Sequence, residues 1–269
     1  MNFRYRILGV LGIILLLYFK TFMWLLDSWL YDPFYSHGFI IPVISLFIIW
    51  SKRKELKSIQ QKKDPMDVYV FAFGLTLYAA GTFWKFLFLL GISLIPVLAG
   101  LILHFYGREF MRKLLFPIGF LLFMIPLPGL DMLGIHLQHF TANNAAWISQ
   151  SIGIEVYKDG LEMYVLDCPI LIGLPCSGLR SIISLLIVAA VFAYIIKGSI
   201  SKKAVILFMT VPIAVASNTI RVTSALLIAG FIGCDAATTF FHNFSGILVF
   251  VIALIMLIIF AKILKCDIL

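Results

Sequence analysis

Eight long apolar stretches dominate this sequence, and none of them contains an aspartate or a glutamate. A membrane-spanning helix needs about 20 consecutive apolar residues, so each stretch is a candidate span. We therefore predict an all-α polytopic membrane protein with about eight transmembrane helices. The stretches are Ile7–Leu26, Pro33–Trp50, Val68–Trp84, Phe86–Tyr106, Leu114–Leu130, Gly178–Ile196, Ala204–Gly233 and Ser245–Ala261.

The amino-acid composition excludes the alternatives to a membrane protein. Of the 269 residues, 62% are hydrophobic and 13% are charged. A soluble domain has about 45–50% apolar and about 25% charged residues. A water-soluble globule of this size still exposes much of its chain and has no way to hide this much apolar surface. A soluble enzyme, a disordered protein, a disulfide-rich secreted domain and a nucleic-acid-binding protein are therefore excluded.

The distribution of basic residues predicts how the chain is oriented in the membrane. With a cytoplasmic N-terminus, 16 of the 21 lysines and arginines lie in cytoplasmic segments, and eight of the 13 acidic residues lie outside. Lysine and arginine resist translocation, so this asymmetry predicts a multi-pass protein of the cell (inner) membrane with both termini cytoplasmic. Cytoplasmic anchoring then explains the net charge of +8, and no nucleic-acid partner is expected.

The chain is predicted to form one integral membrane domain, 1–269, with three parts. Residues 1–130 contain five spans, residues 131–175 form an extracytoplasmic segment, and residues 176–269 contain three further spans. No repeat, low-complexity tract or linker separates these parts, so we predict that they fold together.

The extracytoplasmic segment is predicted to contain two kinds of secondary structure. In Met132–Ile152, large apolar residues lie near one helical face and His136, His139 and Asn143 near another, which predicts an interfacial helix. In Ile154–Leu166, an Asp-Gly pair lies between two β-prone runs, which predicts a small β-hairpin.

Cys176 lies where the extracytoplasmic segment enters the sixth stretch. The free N–H groups and the positive dipole end of a helix start favour the thiolate, which is the nucleophilic form. Gly178 would allow another backbone to approach closely, and Arg180 adds a positive charge one turn later. The alternative is a small buried thiol at an ordinary helix start.

Four other polar residues lie inside spans or at their outer ends, where burial is expensive. Arg221 shares a helix face with Asn218 in the seventh stretch and must find acceptors in a polar cavity, unless it only extends outward along the lipid. His242 lies at the outer entrance of the eighth stretch, at a level from which it could reach the ends of the sixth and seventh helices. The alternative is a lone histidine that is merely tolerated at the membrane interface. His37, at the outer start of the second stretch, is either a substrate contact or part of a plain turn, and the turn is favoured.

The remaining histidines and cysteines are weaker indications. His136 and His139 have the spacing of a metal-binding pair but no third ligand nearby, so no metal and no cofactor is expected. Three cysteines are predicted outside the cytoplasm, and they allow a Cys168–Cys234 disulfide that the sequence leaves undecided.

The cysteine, the arginine and the histidine together resemble the exosortase/archaeosortase family of membrane-embedded cysteine transpeptidases, in its bacterial exosortase form. The resemblance covers the chain from about Asp131 onward. It rests on Cys-Ser-Gly-Leu-Arg (Cys176–Arg180), Asn-x-x-Arg-Val (Asn218–Val222) and Phe-His (Phe241–His242).

This resemblance implies Cys176 as the nucleophile, His242 as the proton-transfer partner and Arg221 as the third catalytic group. The implied substrate is the C-terminal sorting signal of an exported protein, which consists of a short motif, one hydrophobic helix and a basic cluster. The implied reaction is cleavage through a Cys176 thioester on the extracytoplasmic face. Residues expected to contact the substrate or to support the site are Ser177, Gly178, Arg180, Asn218 and His37.

The partners expected from this function are the signal helix, membrane lipid and an acceptor nucleophile whose identity the sequence leaves open. Helices dock in lipid through close packing at small residues. Small residues of the sixth and seventh stretches are therefore expected to offer docking surfaces, namely Ala189, Ala190, Ala193, Ala214, Ala216 and Ser217.

Two other classes of function explain part of the pattern. A transporter or flippase for an anionic solute or lipid headgroup would use Arg180 and Arg221 to bind the anion. Such a protein does not require a cysteine at a helix start, and no stretch contains the acid that usually couples transport to protons or cations. A non-catalytic scaffold leaves the polar residues of three successive spans unexplained. The transpeptidase is therefore the favoured hypothesis.

Overall fold

The computed structural model describes residues 3–60, 64–173, 177–240 and 245–264, and these residues are mostly helical. Two compact units divide the chain, Met1–Pro128 and Gly129–Leu269. The first unit contains α1 (Phe3–Leu17), α2 (Phe19–Tyr31), α3 (Ile40–Ser51), α4 (Arg53–Lys57), α5 (Met66–Phe83), α6 (Leu87–Tyr106), α7 (Arg108–Phe120) and a 3-10 helix (Leu121–Met124). The second contains α8 (Leu130–Ser151), β1 (Tyr157–Asp159), β2 (Glu162–Val165), β3 (Cys168–Leu171), α9 (Leu179–Ile195), α10 (Ile200–Phe231), α11 (Cys234–Thr239) and α12 (Ser245–Ile263).

Four of the described helices, α5, α6, α10 and α12, are long and apolar enough to cross a membrane. The pair α1 and α2 passes the same test together, with a bend of 65° between them, and would be a fifth span. The helices α3 and α9 are apolar but shorter. The helical architecture with several candidate spans is confirmed, whereas the number of eight spans stays a prediction.

The predicted fifth span, Leu114–Leu130, is not one helix. It is divided among the end of α7, the 3-10 helix and a loop. Pro126 and Pro128 follow the 3-10 helix, and proline has no N–H group with which to continue a helical hydrogen-bond pattern. The apolar composition of this stretch predicted one continuous helix, whereas its prolines indicated that the helix is interrupted.

In the first unit, glycines allow α5 and α6 to pack closely. A Cβ atom added to Gly74 of α5 would lie 2.7 Å from the backbone nitrogen of Val97. One added to Gly100 of α6 would lie 2.7 Å from the backbone nitrogen of Phe71. Close packing at small residues is one of the interactions that drive helix association in lipid, and these glycines allow α5 and α6 to approach closely.

A turn before α3 contains His37. The hydroxyl of buried Tyr35 accepts a hydrogen bond from the Leu127 N–H group at 2.7 Å. A Cβ atom added to Gly38 would lie 2.1 Å from Cδ1 of Trp29, so no side chain fits there. The predicted turn is confirmed, and tight packing explains its glycine. A substrate contact of His37 stays a prediction.

The long helix α10 is the centre of the second unit. One hydrophobic cluster, which includes Leu185 and Leu257, joins α9, α12 and the first half of α10. A second cluster, which includes Met163 and Leu226, joins α8, the sheet and the second half of α10. All four side chains are at most 1% exposed. Because α10 is packed along its length, polar residues near its middle are enclosed by protein.

Three short antiparallel strands follow α8 in the order β1-β2-β3. Asp159 of β1 pairs with Glu162 of β2 across a two-residue turn, in which Gly160 has a φ of +61° that favours glycine. The predicted hairpin is confirmed. The third strand was not predicted, and it contains Pro169, a residue that argues against a strand. Proline is tolerated there because β3 lies at the edge of the sheet.

A disulfide joins Cys168 of β3 to Cys234 at the start of α11, with the two Cα atoms 5.2 Å apart. Cys168 is 3% exposed and belongs to the cluster between the sheet and α10. The bond therefore connects the sheet to the end of α10 from within the core. Its sequence separation is 66 residues, and the enclosed chain includes α9 and α10.

The predicted interfacial helix is present as α8, but its packing face differs from both predicted faces. Leu133, Phe140 and Trp147 are exposed, as are His136 and His139. Small residues allow α8 to approach α10 closely, and large apolar side chains remain available to face lipid. A location at the membrane interface stays a prediction. The buried residues of α8 are Gly134, Gln138, Thr141, Ala142, Ala145, Ala146 and Ser149.

Candidate functional site

The candidate site includes two polar residues near the middle of α10. Asn218 and Arg221 are three residues apart on one helix face, and they are 0% and 9% exposed. The helix is continuous from Ile200 to Phe231, so its geometry fixes their relative position. The low exposure of Arg221 argues against the alternative of a side chain that extends outward along the lipid.

The start of α9 lies against Asn218. Gly178 has a φ of +84°, which favours glycine, and an added Cβ atom would lie 3.0 Å from Asn218 Nδ2. Ser177 is 1% exposed, and its hydroxyl accepts a hydrogen bond from the Leu179 N–H group at 3.2 Å. The predicted close approach at Gly178 is present. It involves a side chain and not another backbone, because Asn218 fills the space.

Asn218 also connects α10 to α8. Its Nδ2 atom donates a hydrogen bond to Oγ1 of Thr141 at 3.3 Å, and both side chains are 0% exposed. One turn earlier on α8, Nε2 of Gln138 donates to the Ile172 carbonyl oxygen at 3.3 Å. Asn218 is thus a junction of α8, α9 and α10.

Gln138 and Thr141 are functional candidates that the sequence did not reveal. Their spacing of three residues on a face of alanines was the available signal. The sequence instead singled out His136 and His139, on the exposed side of the same helix, as a possible metal-binding pair. Buried polar side chains become informative only when their hydrogen-bond partners are known.

The other predicted site residues are placed as follows. Arg180 is exposed in the first turn of α9, and His37 lies in the first unit. Cys176 and His242 lie outside the described residues, so their convergence with Arg221 stays a prediction.

The histidines of α8 show local contacts. Nδ1 of His136 forms a hydrogen bond with the Met132 carbonyl oxygen at 2.8 Å, and His139 is exposed. In the part of the chain that the structure describes, no group of three or more histidine, cysteine or acidic side chains is positioned to hold a metal ion.

The predicted docking surfaces of α9 and α10 need a correction. Ala189, Ala190, Ala193, Ala214 and Ser217 are buried inside the second unit, where helices pack against one another. Of the six small residues, Ala216 alone is exposed. The small residues are therefore used for packing within the protein, and they do not offer a free surface for a substrate helix.

Comparison with known proteins identifies the family. The transmembrane exosortase family (Exosortase_EpsH) matches residues 29–259, which include Cys176, Arg221 and His242. The chain belongs to the exosortase family. The match extends over both units and begins well before Asp131, where the resemblance from the sequence motifs began. Exosortases are cysteine-type membrane transpeptidases. No curated protein and no solved structure is significantly similar to this exosortase.

Proposed function

We propose that this exosortase cleaves the C-terminal sorting signals of exported proteins through a thioester on Cys176. The contact between Gly178 and Asn218 is the observation that carries the proposal. Cys176 precedes Gly178 by two residues, which span at most about 7 Å, and Arg221 follows Asn218 by one helical turn. This arrangement supports a thiol and a buried guanidinium that act on the same peptide group.

In the first chemical step, the Cys176 thiolate attacks the scissile carbonyl carbon. The resulting oxyanion needs preorganised donors in a water-poor site, and the Arg221 guanidinium and the N–H groups of Ser177 and Gly178 are suited to that role. The C–N bond then breaks, and His242 gives a proton to the leaving amine, a role suited to histidine because the ordinary pKa of an imidazole lies near neutrality. The product is an acyl thioester on Cys176.

In the second step, an acceptor takes the acyl group and releases the Cys176 thiolate. An incoming amine, a lipid or water would each complete this reaction. Exclusion of water by the bilayer favours the amine. Exposed Arg180, four residues after Cys176, is suited to bind an acidic residue of the sorting motif.

We infer eight spans, with both termini cytoplasmic and the site on the extracytoplasmic face. The asymmetry of basic residues supports this topology. The Cys168–Cys234 disulfide supports it independently, because disulfides persist in oxidising compartments outside the cytoplasm.

Reporter fusions at the start of α10 and beyond its end test this topology. A fusion after Lys203, in the first turn of α10, is expected to report the cytoplasm, and a fusion after Asp235 the extracytoplasmic side, because the rest of α10 lies between these two positions. Alkaline phosphatase and a fluorescent protein at each position give opposite readouts. The same side for both fusions would contradict the topology and the location of the site.

The proposed activity is tested by co-expression with exported proteins that end in a short motif, a hydrophobic helix and a basic cluster. Cleavage near the motif, followed by immunoblotting, is expected with the wild-type enzyme and should be absent with Cys176→Ala. Cys266→Ala is the matched control, because this cysteine is predicted to be cytoplasmic and far from the site in sequence. Equal cleavage by Cys176→Ala and the wild type would show that the proposal is wrong.

A further inference from the structure

Two buried polar side chains of α8 connect this helix to the surroundings of Cys176: Gln138 bonds directly to Ile172, and Thr141 bonds to Asn218, whose amide lies against Gly178. We infer that Gln138 and Thr141 are positioning residues, which hold the Cys176 segment in place relative to Arg221. This inference rests on the proposed function. It adds a role for α8, which contains none of the three proposed catalytic residues.

Thr141 acts on the C-terminal side of Cys176. Its hydroxyl accepts the hydrogen bond from Asn218 Nδ2, and this bond fixes the orientation of the Asn218 amide. The same amide is in contact with Gly178 at the start of α9. A rotated or displaced Asn218 side chain would therefore press on Gly178, two residues after Cys176.

Gln138 acts on the N-terminal side of Cys176. It is 3% exposed, and its Nε2 atom donates to the carbonyl oxygen of Ile172, which is 0% exposed. Ile172 is four residues before Cys176, a distance of at most about 14 Å along an extended chain. Ile172 and Gly178, the described residues on either side of Cys176, thus contact Gln138 and Asn218, respectively.

One rigid helix face provides both contacts. Gln138 and Thr141 are three residues apart, so they lie next to each other on α8. Their buried neighbours Ala142, Ala145 and Ala146 pack against the sheet and α10 without polar groups. Burial of an amide or a hydroxyl is unfavourable unless it is hydrogen-bonded. Ser149 is also buried on this face, but Gln138 and Thr141 hydrogen-bond to Ile172 and Asn218, which connect to the Cys176 and Arg221 segments, and this connection indicates a geometric role.

Two nearly isosteric substitutions test the inference. Thr141→Val and Gln138→Met keep the shape of each side chain and remove its hydrogen bond. We expect each to lower kcat by about 10- to 100-fold with little change in KM, because a misplacement of about 1 Å is sufficient for such a loss. Thr141→Ser retains the hydroxyl and is expected to restore the wild-type kcat.

Matched controls separate positioning from a general effect of losing a buried hydrogen bond. Thr210→Val is the same substitution at a site that is 0% exposed, where the hydroxyl donates only to the Ile206 carbonyl of its own helix. Gln150→Met removes a part-buried glutamine bond of α8, between Nε2 of the exposed Gln150 and the Val156 carbonyl oxygen at 2.9 Å. Both controls are expected to keep the wild-type kcat.

Alkylation of Cys176 by iodoacetamide provides a readout that needs no substrate. In a Cys266→Ser background, the rate is measured against pH for each variant, with the Cys168–Cys234 disulfide intact. Thr141→Val and Gln138→Met should shift the alkylation midpoint to higher pH, because in the proposed arrangement the start of α9 and the Arg221 guanidinium favour the thiolate, and displacement would weaken both effects. The controls and Thr141→Ser should show the wild-type midpoint. A merely structural role would lower thermal stability without moving this midpoint.

The outcomes distinguish this inference from the proposed function. If Cys176→Ala abolishes cleavage while Thr141→Val and Gln138→Met retain the wild-type kcat and alkylation midpoint, the positioning role is overturned and the proposed function stands. If Cys176→Ala cleaves like the wild type, the proposed function fails, and the role of α8 in it fails too.

Discussion

Mass spectrometry of the enzyme, quenched with acid during turnover, should show the acyl part of the substrate on Cys176. Hydroxylamine should release it as a hydroxamate, because hydroxylamine attacks thioesters. With Cys176→Ala, neither the adduct nor the hydroxamate should form, because no other group at the proposed site is a comparable nucleophile. An acyl group on Cys168 would contradict the assignment, and so would full turnover by Cys176→Ala. Cys168 is bonded to Cys234 and is not available as a thiol.

The other two proposed catalytic residues should fail in different ways in the same experiment. His242→Ala should lower the rate by about 10²–10⁴-fold, because it impairs both thiol activation and protonation of the leaving amine. Arg221→Lys keeps the positive charge but loses the planar set of donors, so strong impairment is expected if Arg221 holds an oxyanion or a thiolate geometrically. Wild-type turnover by Arg221→Lys would remove this geometric role alone.

Of the substitutions proposed for this protein, loss of the Cys168–Cys234 disulfide should lower the free energy of unfolding the most. Closure of a loop of 66 residues lowers the entropy of the unfolded chain, which corresponds to about 4 kcal/mol of folding free energy. The double variant Cys168→Ala/Cys234→Ala should therefore unfold at a clearly lower temperature in detergent. It should still cleave substrate at temperatures where it is folded, if these cysteines have only a structural role.

The control for this stability measurement is Cys266→Ala, which removes a cysteine outside the disulfide. Its unfolding temperature should match that of the wild type. Non-reducing mass mapping should find Cys168 and Cys234 in one linked pair of peptides in the wild type. An unchanged unfolding temperature in the double variant would show that the covalent link contributes little to stability.

Local patterns in the sequence determined the class of this protein and the chemistry to expect from it. Apolar stretches without acids predict membrane helices because hydrocarbon excludes charge, whatever the tertiary contacts. Asp159-Gly160 predicted the hairpin because a tight turn depends on only a few adjacent residues. The motifs that contain Cys176, Arg221 and His242 are local as well, and the exosortase match covers all three.

Tertiary structure decided which residues meet. The Cys168–Cys234 pair, the contact of Gly178 with Asn218 and the hydrogen bond between Asn218 and Thr141 each join segments far apart in the chain. Hydrophobic periodicity carries no information about such pairs, because it reports only whether a side chain is buried and not against what. For the same reason the small residues of α9 and α10 were predicted as a docking surface, although they pack inside the unit. The packing face of α8 was likewise visible only once α10 lay against it.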